Sequence, residues 1–415
     1  MNPRLSHRLV VVAVLAAAAG GLLGLGPATA ALPDLAPDAA ATGPIRYAEL
    51  PTAVKDSYIV ILPANTTPAD TNRLAQELSG KYGGTLGFTY TAGLRGFAVR
   101  VTADKAEQLA AEPDVDYVAQ NQTVTLDDVQ VQLNPPSWGI DRIDQRSLPL
   151  DNKYFYPSTA STVRAFIIDT GIRMTHQEFG GRANCGFDPW GQSCAPCNQG
   201  HGTHVAGTVG GATTGVAKGV QLISVRVFQC SGSTTFDIVI AGVEYVTFAQ
   251  QINPSARSVA NMSLGGGAFQ PVDDAVTASI NANVHYSVSA GNDFGASACT
   301  KSPARVPQAT TVAATDITDT RANFSNIGTC VDVFAPGVNI ISAWFTADNA
   351  YLSLNGTSMS APHATGTAAL WRHKFPADNA NAVHNAINAN ATPGVVINPG
   401  VGSPNKLLFM GMVPA

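Results

Sequence analysis

The second half of the chain alternates apolar runs with stretches of helical spacing. The first run, residues 163–168, is nearly all apolar, which is typical of a strand covered on both faces. Similar runs cover residues 222–228, 259–262, 286–288 and 311–314. Between them, residues 236–250 and 272–281 place apolar positions on one side, as helices packed on a sheet do. This alternation predicts an α/β fold, a parallel β-sheet flanked by helices.

A smaller block precedes this region and has a pattern of its own. Strand-like runs cover residues 58–62, 97–101 and 115–118, and helical spacing covers 68–82 and 103–109. Strands and helices alternating over so short a span predict a small α+β domain of the ferredoxin-like kind. The block has no cysteine and no cluster of catalytic residue types, so taken alone it is a small binding domain.

The N-terminus is typical of an export signal. Arg4, His7 and Arg8 give a basic start, residues 9–25 are largely apolar, and Ala28-Thr29-Ala30 is a small-residue cleavage site. The alternative, a membrane anchor, is disfavoured because glycines interrupt the apolar stretch and no stop-transfer charges follow it. We therefore expect the segment to be removed and the protein to be secreted into the extracellular medium.

These patterns predict four segments along the chain. They are a signal peptide at residues 1–30, an Ala- and Pro-rich linker at 31–50, the small domain at 51–125 and the main domain at 131–415.

Composition narrows the possible partners. The chain has 415 residues, of which 45% are hydrophobic and 13% charged, and its net charge is -5. Because there is no basic run, we expect no nucleic-acid partner. No second apolar run is long enough to span a bilayer, so we expect no membrane contact in the mature form, which we expect to be a monomer.

Reactive side chains stand where the predicted strands and helices meet. Asp169 follows the apolar run 163–168, and a carboxylate there is costly unless something pairs with it. His201 lies between glycines, Asn292 follows the run 286–288, and Ser358 stands at the predicted start of a helix. We place that helix start near Ser358 because Pro362 lacks an amide hydrogen and is expected only in the first turn of a helix.

Each of these residues also has a structural interpretation. Asp169 and Asn292 could form turns, Ser358 could be an N-cap, and His201 could form a structural pair with His204. A zinc site of the HExxH kind is disfavoured because His201 and His204 have the wrong spacing and the glutamate is missing. Together, however, Asp, His, Ser and an amide donor form a complete set for acyl transfer.

The motifs that carry these residues resemble those of the subtilisin-like serine peptidases, in particular the proteinase K and aqualysin branch. They are Asp169-Thr-Gly, His201-Gly-Thr-His-Val-Ala-Gly and Gly356-Thr-Ser-Met-Ser-Ala-Pro, in the chain order Asp, His, Ser. The resemblance implies a serine endopeptidase with Ser358 as nucleophile, His201 as general base and Asp169 as the residue that orients it. Asn292 and the Ser358 amide would stabilise the oxyanion.

The resemblance also implies where protein and peptide substrates bind. The walls of the pocket for the residue before the cut would be Ser263, Leu264 and Gly265 on one side and Ser289, Ala290 and Gly291 on the other. Ser231, Gly232 and Ser233 would pair with the extended substrate. We expect broad specificity that favours apolar or aromatic residues before the cut.

By the same resemblance, residues 51–125 correspond to an inhibitor-type propeptide. The protein would be made as a zymogen, its own propeptide would occupy the cleft, and self-cleavage would fall between residues 126 and 133.

The six cysteines allow many pairings from sequence alone. The resemblance implies Cys197–Cys230 and Cys299–Cys330, which leaves Cys185–Cys194. It further implies structural calcium at Pro307, Ala309 and Asp332, and no organic cofactor. Two alternative functions stay open: a non-catalytic peptide-binding homologue, and a thiol-disulfide oxidoreductase that uses Cys194 and Cys197.

Overall fold

The computed structural model describes residues 42–50, 52–123, 130–196 and 198–414, which form two compact units separated near residue 125. The expected signal peptide and the first part of the expected linker lie outside the described residues. None of the helices in these ranges is long and apolar enough to cross a membrane.

The first unit has the predicted α+β pattern. Its elements are β1 (Ile45–Arg46), β2 (Ala53–Ile61), α1 (Pro68–Lys81), β3 (Thr85–Tyr90), β4 (Gly96–Arg100), α2 (Ala103–Ala110) and β5 (Tyr117–Gln122). The strands form one sheet in the order β1-β5-β2-β4-β3, antiparallel except for the β1–β5 pair. Side chains such as Val60, Leu74, Phe97 and Leu109 form its buried core.

The second unit contains the long alternation of strands and helices. Its first elements are β6 (Gln130–Leu133), α3 (Trp138–Asp144), β7 (Lys153–Tyr156), β8 (Val163–Asp169), β9 (Ala183–Phe187), α4 (His201–Gly210), β10 (Gln221–Arg226), α5 (Phe236–Gln251), β11 (Arg257–Met262) and β12 (Gly266–Gly267). They are followed by α6 (Gln270–Asn281), β13 (Val284–Ser289), β14 (Lys301–Ser302), β15 (Thr310–Thr315), β16 (Val333–Pro336), β17 (Ile340–Ala343), β18 (Tyr351–Leu354), α7 (Thr357–Lys374), α8 (Ala380–Asn390), β19 (Thr392–Pro393) and β20 (Lys406–Leu407).

A nine-stranded sheet forms the centre of this unit, in the order β19-β20-β16-β15-β13-β11-β8-β10-β9. All neighbouring pairs are parallel except β19–β20. The predicted parallel sheet flanked by helices is therefore confirmed. The structure adds short strands at both edges that the apolar runs did not indicate.

Strand β8 explains why the central strands are apolar throughout. Ala165 and Ile167 pack into a core shared with α4 and α7, whereas Phe166 and Ile168 pack into a second core shared with α5 and α6. Since side chains alternate between the two faces of a strand, a sheet covered on both sides needs apolar residues at every position.

Helix α7 corrects one detail of the sequence analysis. The helix begins at Thr357, so Pro362 is its sixth residue and lies inside it rather than in the first turn. Proline has no amide hydrogen, so it cannot donate to the carbonyl four residues earlier, which belongs to Ser358. That carbonyl is free for another donor.

Two disulfide bonds, Cys185–Cys194 and Cys299–Cys330, lie within the described residues. The expected pair Cys197–Cys230 stays a prediction, because residue 197 lies outside them.

Candidate active site

The residues singled out from the sequence lie beyond the carboxyl ends of central strands of the nine-stranded sheet or at the starts of two helices. Asp169 ends β8, Ser263 follows β11 and Asn292 comes shortly after β13. These strands are parallel neighbours, so their carboxyl ends share an edge, where functional crevices of α/β sheets form. His201 and Ser358 stand at the starts of α4 and α7, which pack against each other.

Asp169 and His201 form a close pair. The carboxylate is fully buried, and both of its oxygens lie 2.9 Å from Nδ1 of His201. The Thr170 amide donates to the same carboxylate over 2.7 Å. Gly202 makes the approach possible, because a Cβ there would come within 2.5 Å of the Gly171 carbonyl oxygen.

The pKa of His201 reflects two opposing effects. Burial lowers it, but the charge of Asp169 and the hydrogen bond to that carboxylate outweigh burial, so the pKa is raised above its ordinary value. The carboxylate also fixes Nδ1 as the protonated nitrogen in neutral His201, which leaves Nε2 as the proton acceptor.

Ser358 is the second residue of α7, in the turn whose amides have no partner within the helix. Its hydroxyl donates to the Ser263 carbonyl over 3.1 Å, and its carbonyl accepts from the Ser263 hydroxyl over 2.7 Å. The second bond uses the acceptor that Pro362 leaves free. Within the described ranges, Ser358 has no hydrogen bond to His201, so the hydroxyl must leave Ser263 before it can reach the imidazole.

Two hydrogen bonds fix the orientation of the Asn292 side chain. Its Oδ1 accepts hydrogen bonds from the amide and the hydroxyl of Thr357, each over 2.9 Å, which fixes the side-chain amide. Gly356 (φ 150°) leaves the space beside it open, since a Cβ there would lie 3.5 Å from Asn292 Nδ2 and 3.6 Å from the Ser358 nitrogen. These two donors therefore border the same space.

A cavity of about 210 Å³ opens beside Ser358. Its lining includes five of the six expected wall residues, and Ala290 is instead fully buried. The lining residues are Ser263, Leu264, Gly265, Ser289, Gly291, Asn292, Asp293, Lys301 and Ser358. Asp293 and Lys301 were not predicted from the sequence to line it, although Asp293 directly follows Asn292.

Ser231, Gly232 and Ser233 lie in the exposed loop between β10 and α5. The Gln229 and Gly232 amides close a turn there, by hydrogen bonds to the carbonyls of Ser233 and Gln229. Ser231 borders one cavity, and Ser233 borders another that reaches Leu264 and Gly265. The loop thus lies between two surface cavities, the second of which shares residues with the cavity beside Ser358.

The neighbouring residues of the motifs have structural partners. Ser360 is buried and donates to the Ala335 carbonyl over 3.0 Å. His204 is buried with Nε2 within hydrogen-bond distance of the Ile340 and Leu352 carbonyls, and burial lowers its pKa to about 4. The hydrogen bonds of Ser360 and His204 are therefore structural, and we assign neither residue a chemical role.

The residues expected to bind calcium lie at β15 and β16. Pro307 and Ala309 directly precede β15, and Asp332, just before β16, accepts the Thr311 amide over 2.8 Å. In the described part of the chain, no three His, Cys, Asp or Glu side chains form a metal-binding group. Any site here depends on main-chain carbonyls.

Comparisons with known proteins agree with this geometry. A family profile described as "Subtilase family" matches residues 163–407, and one described as "Peptidase inhibitor I9" matches residues 57–127. The chain is 45% identical over 395 residues to an extracellular serine proteinase of Thermus sp. (strain Rt41A), across 90% of this chain and 94% of that protein. It is 42% identical over 370 residues to alkaline serine exoprotease A of Vibrio alginolyticus, across 86% of this chain and 68% of that protein.

A solved structure, that of a cold adapted subtilisin-like serine proteinase, has a TM-score of 0.62 and 45% identity to this chain. The match covers 67% of this chain and 98% of that one. The subtilase profile spans more than half of the chain, and the inhibitor profile covers most of the first unit. The chain belongs to the subtilase family and is a serine proteinase, a hydrolase of peptide bonds, that carries an N-terminal inhibitor-type propeptide.

Proposed function

We propose that this proteinase is a secreted endopeptidase in which Ser358, His201 and Asp169 act as a catalytic triad. The Asp169–His201 pair is the observation that carries the proposal. The carboxylate is fully buried and both of its oxygens lie 2.9 Å from Nδ1. It raises the affinity of the imidazole for a proton and leaves Nε2 to accept the proton of the Ser358 hydroxyl.

The reaction follows from these positions. Nε2 of His201 takes the proton of the Ser358 hydroxyl as Oγ attacks the carbonyl carbon of the scissile peptide bond. The Asn292 amide and the Ser358 N–H donate to the oxyanion of the tetrahedral intermediate. His201 then gives the proton to the leaving amine, and water, activated by the same imidazole, hydrolyses the acyl-enzyme.

The hydroxyl must first exchange its bond to Ser263 for one to His201. This exchange is a change of one side-chain torsion, and catalytic hydrogen bonds often tighten only when substrate is bound. The Ser263 carbonyl holds the hydroxyl until then.

Replacement of the proposed nucleophile tests this mechanism. Ser358→Ala is expected to abolish hydrolysis of casein and to leave a folded protein, because only the attacking hydroxyl is lost. Ser360→Ala is the matched control, since it removes a buried hydroxyl from the same turn and is expected to retain most of the activity. Retained activity in Ser358→Ala, or loss of activity only in Ser360→Ala, would contradict the proposal.

We further propose that the four-segment organisation describes a zymogen, with the signal peptide at 1–30, linker at 31–50, propeptide at 51–125 and mature enzyme within 131–415. The match of residues 57–127 to the inhibitor family supports this division. The proposed cut between 126 and 133 falls partly on residues outside those described. Mass spectrometry of the secreted enzyme should give a mature N-terminus in that interval, and one near Ala31 would contradict it.

Structural calcium at Pro307, Ala309 and Asp332 is the cofactor that we propose. Two carbonyls and one carboxylate form an all-oxygen donor set, which suits this hard cation. Gln308 lies between the two carbonyl residues, and its buried Oε1 has no hydrogen-bond partner in the described structure. This segment therefore has an oxygen that no protein donor occupies. When bound, the ion would supply only positive charge that ties β15 to β16.

A chelator is therefore expected to lower the melting temperature, and calcium to restore it. Asp332→Asn should make the melting temperature insensitive to both, whereas an unchanged response in the variant would contradict this site.

The alternative thiol-disulfide function is not supported, because Cys194 is bonded to Cys185 rather than available to Cys197. The preference for apolar or aromatic residues before the cut stays a prediction.

A further inference from the structure

The cavity beside Ser358 contains an ion pair. Nζ of Lys301 lies 2.8 Å from Oδ1 of Asp293, and both side chains line the cavity. The lysine side chain as a whole is 25% exposed and the aspartate 45%. Leu264 is the one apolar side chain among the other lining residues. With the ion pair added, the cavity is more polar than the predicted serine and glycine walls indicated.

Asp293 is held in place by Asn326, a fully buried residue. Asn326 accepts the Asp293 amide over 2.8 Å and donates to Oδ2 of the same residue over 2.9 Å. It also donates to the Ala290 carbonyl over 3.0 Å. Bonds from Lys301 and Asn326 keep the pKa of Asp293 below its ordinary value. The carboxylate therefore stays charged and accepts a hydrogen bond from one of the three N–H groups of the lysine.

The main chain of Lys301 is fixed as well. Strand β14 pairs antiparallel with β12, and Lys301 lies opposite Gly267. The Cys299–Cys330 disulfide anchors the chain two residues earlier. The fixed main chain and the hydrogen bond to Asp293 together place the ammonium at the cavity.

The Lys301 ammonium has donors left for a ligand. It carries three N–H groups, and in the described structure its hydrogen-bond partner is Asp293 alone. We propose that Lys301 is a specificity-determining residue, which lets the pocket take a glutamate side chain before the cut and rejects lysine and arginine. This inference rests on the proposed function, because it assigns the cavity to the residue that precedes the bond attacked by Ser358.

Charge complementarity separates the classes of substrate. A glutamate carboxylate accepts a charge-assisted hydrogen bond from the ammonium, whereas a glutamine amide gives a weaker neutral acceptor. A lysine or arginine brings a second cation against the first. An apolar side chain can still pack on Leu264 and the methylene stem of Lys301, but it makes no new bond. The pocket thus accepts glutamate in addition to apolar residues.

The test uses internally quenched peptides that differ only in the residue before the cut, as Glu, Gln, Leu or Lys. We expect kcat/KM for the Glu peptide to exceed that for Gln by about tenfold and that for Lys by at least about tenfold. Lys301→Met should remove the preference of Glu over Gln, and Lys301→Arg should keep it. Asp293→Asn should increase it by about tenfold, because the ammonium loses its competing partner.

Three controls keep the outcomes distinct. Titration with a sulfonyl fluoride gives the concentration of active enzyme for each variant, so that incomplete maturation is not mistaken for altered specificity. Lys153→Met removes the same charge from an exposed pair with Asp151 and should leave the Glu-to-Gln ratio unchanged. Ser358→Ala should be inactive on every peptide.

Each result has one interpretation. A Glu-to-Gln ratio that is the same in the wild type and in Lys301→Met overturns this inference and leaves the triad intact. A wild-type preference for Lys would also overturn it and assign specificity to Asp293 instead. Activity in Ser358→Ala would instead contradict the proposed function itself.

Discussion

For single residues, the proposed triad implies that the Asp169–His201 pair would set the pH range in which the enzyme works. His201 must be neutral to accept the serine proton, and the raised pKa extends its protonated form to higher pH. Activity is therefore expected to fall as pH decreases through that raised pKa. Asp169→Asn should move this acidic limb to lower pH, since it removes the charge that raises the pKa, and should reduce kcat by about 10⁴.

The measurement is the pH profile of kcat/KM for one peptide, with active enzyme titrated by a sulfonyl fluoride. A limb at the same pH in wild type and in Asp169→Asn would show that the profile reports a group other than His201.

The four residues of the proposed catalytic machinery could be predicted from the sequence, whereas Lys301 could not. Asp169, His201, Asn292 and Ser358 stand in motifs whose residue types indicate acyl transfer. Lys301 belongs to no such motif, and it reaches the cavity because β14 pairs with β12 across a long loop. A contact of that kind depends on the register of two distant segments, which local sequence does not determine.

At the scale of elements, a buried hydrogen-bond chain links β11 to α7. The Thr365 hydroxyl donates to the side-chain Oδ1 of Asn261, Nδ2 of Asn261 donates to the Ser263 hydroxyl, and that hydroxyl donates to the main-chain carbonyl of Ser358. The last acceptor is available because Pro362 has no N–H to occupy it. The proline thus couples the helix that carries Ser358 to the neighbouring strand.

A double-mutant cycle tests this coupling. Ser263→Ala leaves a carbonyl without a donor and should cost about 1 kcal/mol of unfolding free energy. In a Pro362→Ala background the restored amide can occupy that carbonyl, so the same change should cost less, with a coupling of about 1 kcal/mol. Urea unfolding of the sulfonyl-inhibited wild type, the two single variants and the double variant gives the four unfolding free energies of the cycle. Additivity within about 0.5 kcal/mol would contradict the competition between amide and hydroxyl.

The strands that are buried on both faces could be predicted from the sequence, because such strands are apolar at nearly every position. Strands β8, β11, β13 and β15 fall on the predicted runs within a few residues. The edge strand β19 and its neighbour β20 have two residues each, too few to produce a period. The predicted start of α7 near Ser358 agrees with Thr357 within one residue, but the placement of Pro362 in the first turn was wrong. Pro362 is tolerated inside the helix because the Ser263 hydroxyl donates to the Ser358 carbonyl, which a proline cannot reach with an N–H.

At the scale of the whole molecule, two sets of buried groups respond oppositely to acid. Burial lowers the pKa values of His204, His285 and His363 to about 4, about 3 and about 4. The unfolded chain binds their protons first, so their contribution is complete above about pH 6.5 and is lost as pH falls towards 4. Burial raises the pKa values of Asp141 and Asp144 to about 6 and about 7, so their contribution to stability increases over the same fall.

Single variants separate these opposing contributions. His285→Gln removes one group that destabilises the native state in acid. The melting temperature of this variant should therefore fall less between pH 7.5 and 4.5 than that of the wild type. Asp144→Asn removes a group that stabilises it in acid, so its loss should be larger. Both are measured on the sulfonyl-inhibited enzyme with chelator present, which prevents divalent cations from bridging the carboxylates. Because each variant is compared with itself at two pH values, a uniform loss of stability cancels, and equal losses in all three proteins would contradict the assignment of acid sensitivity to these groups.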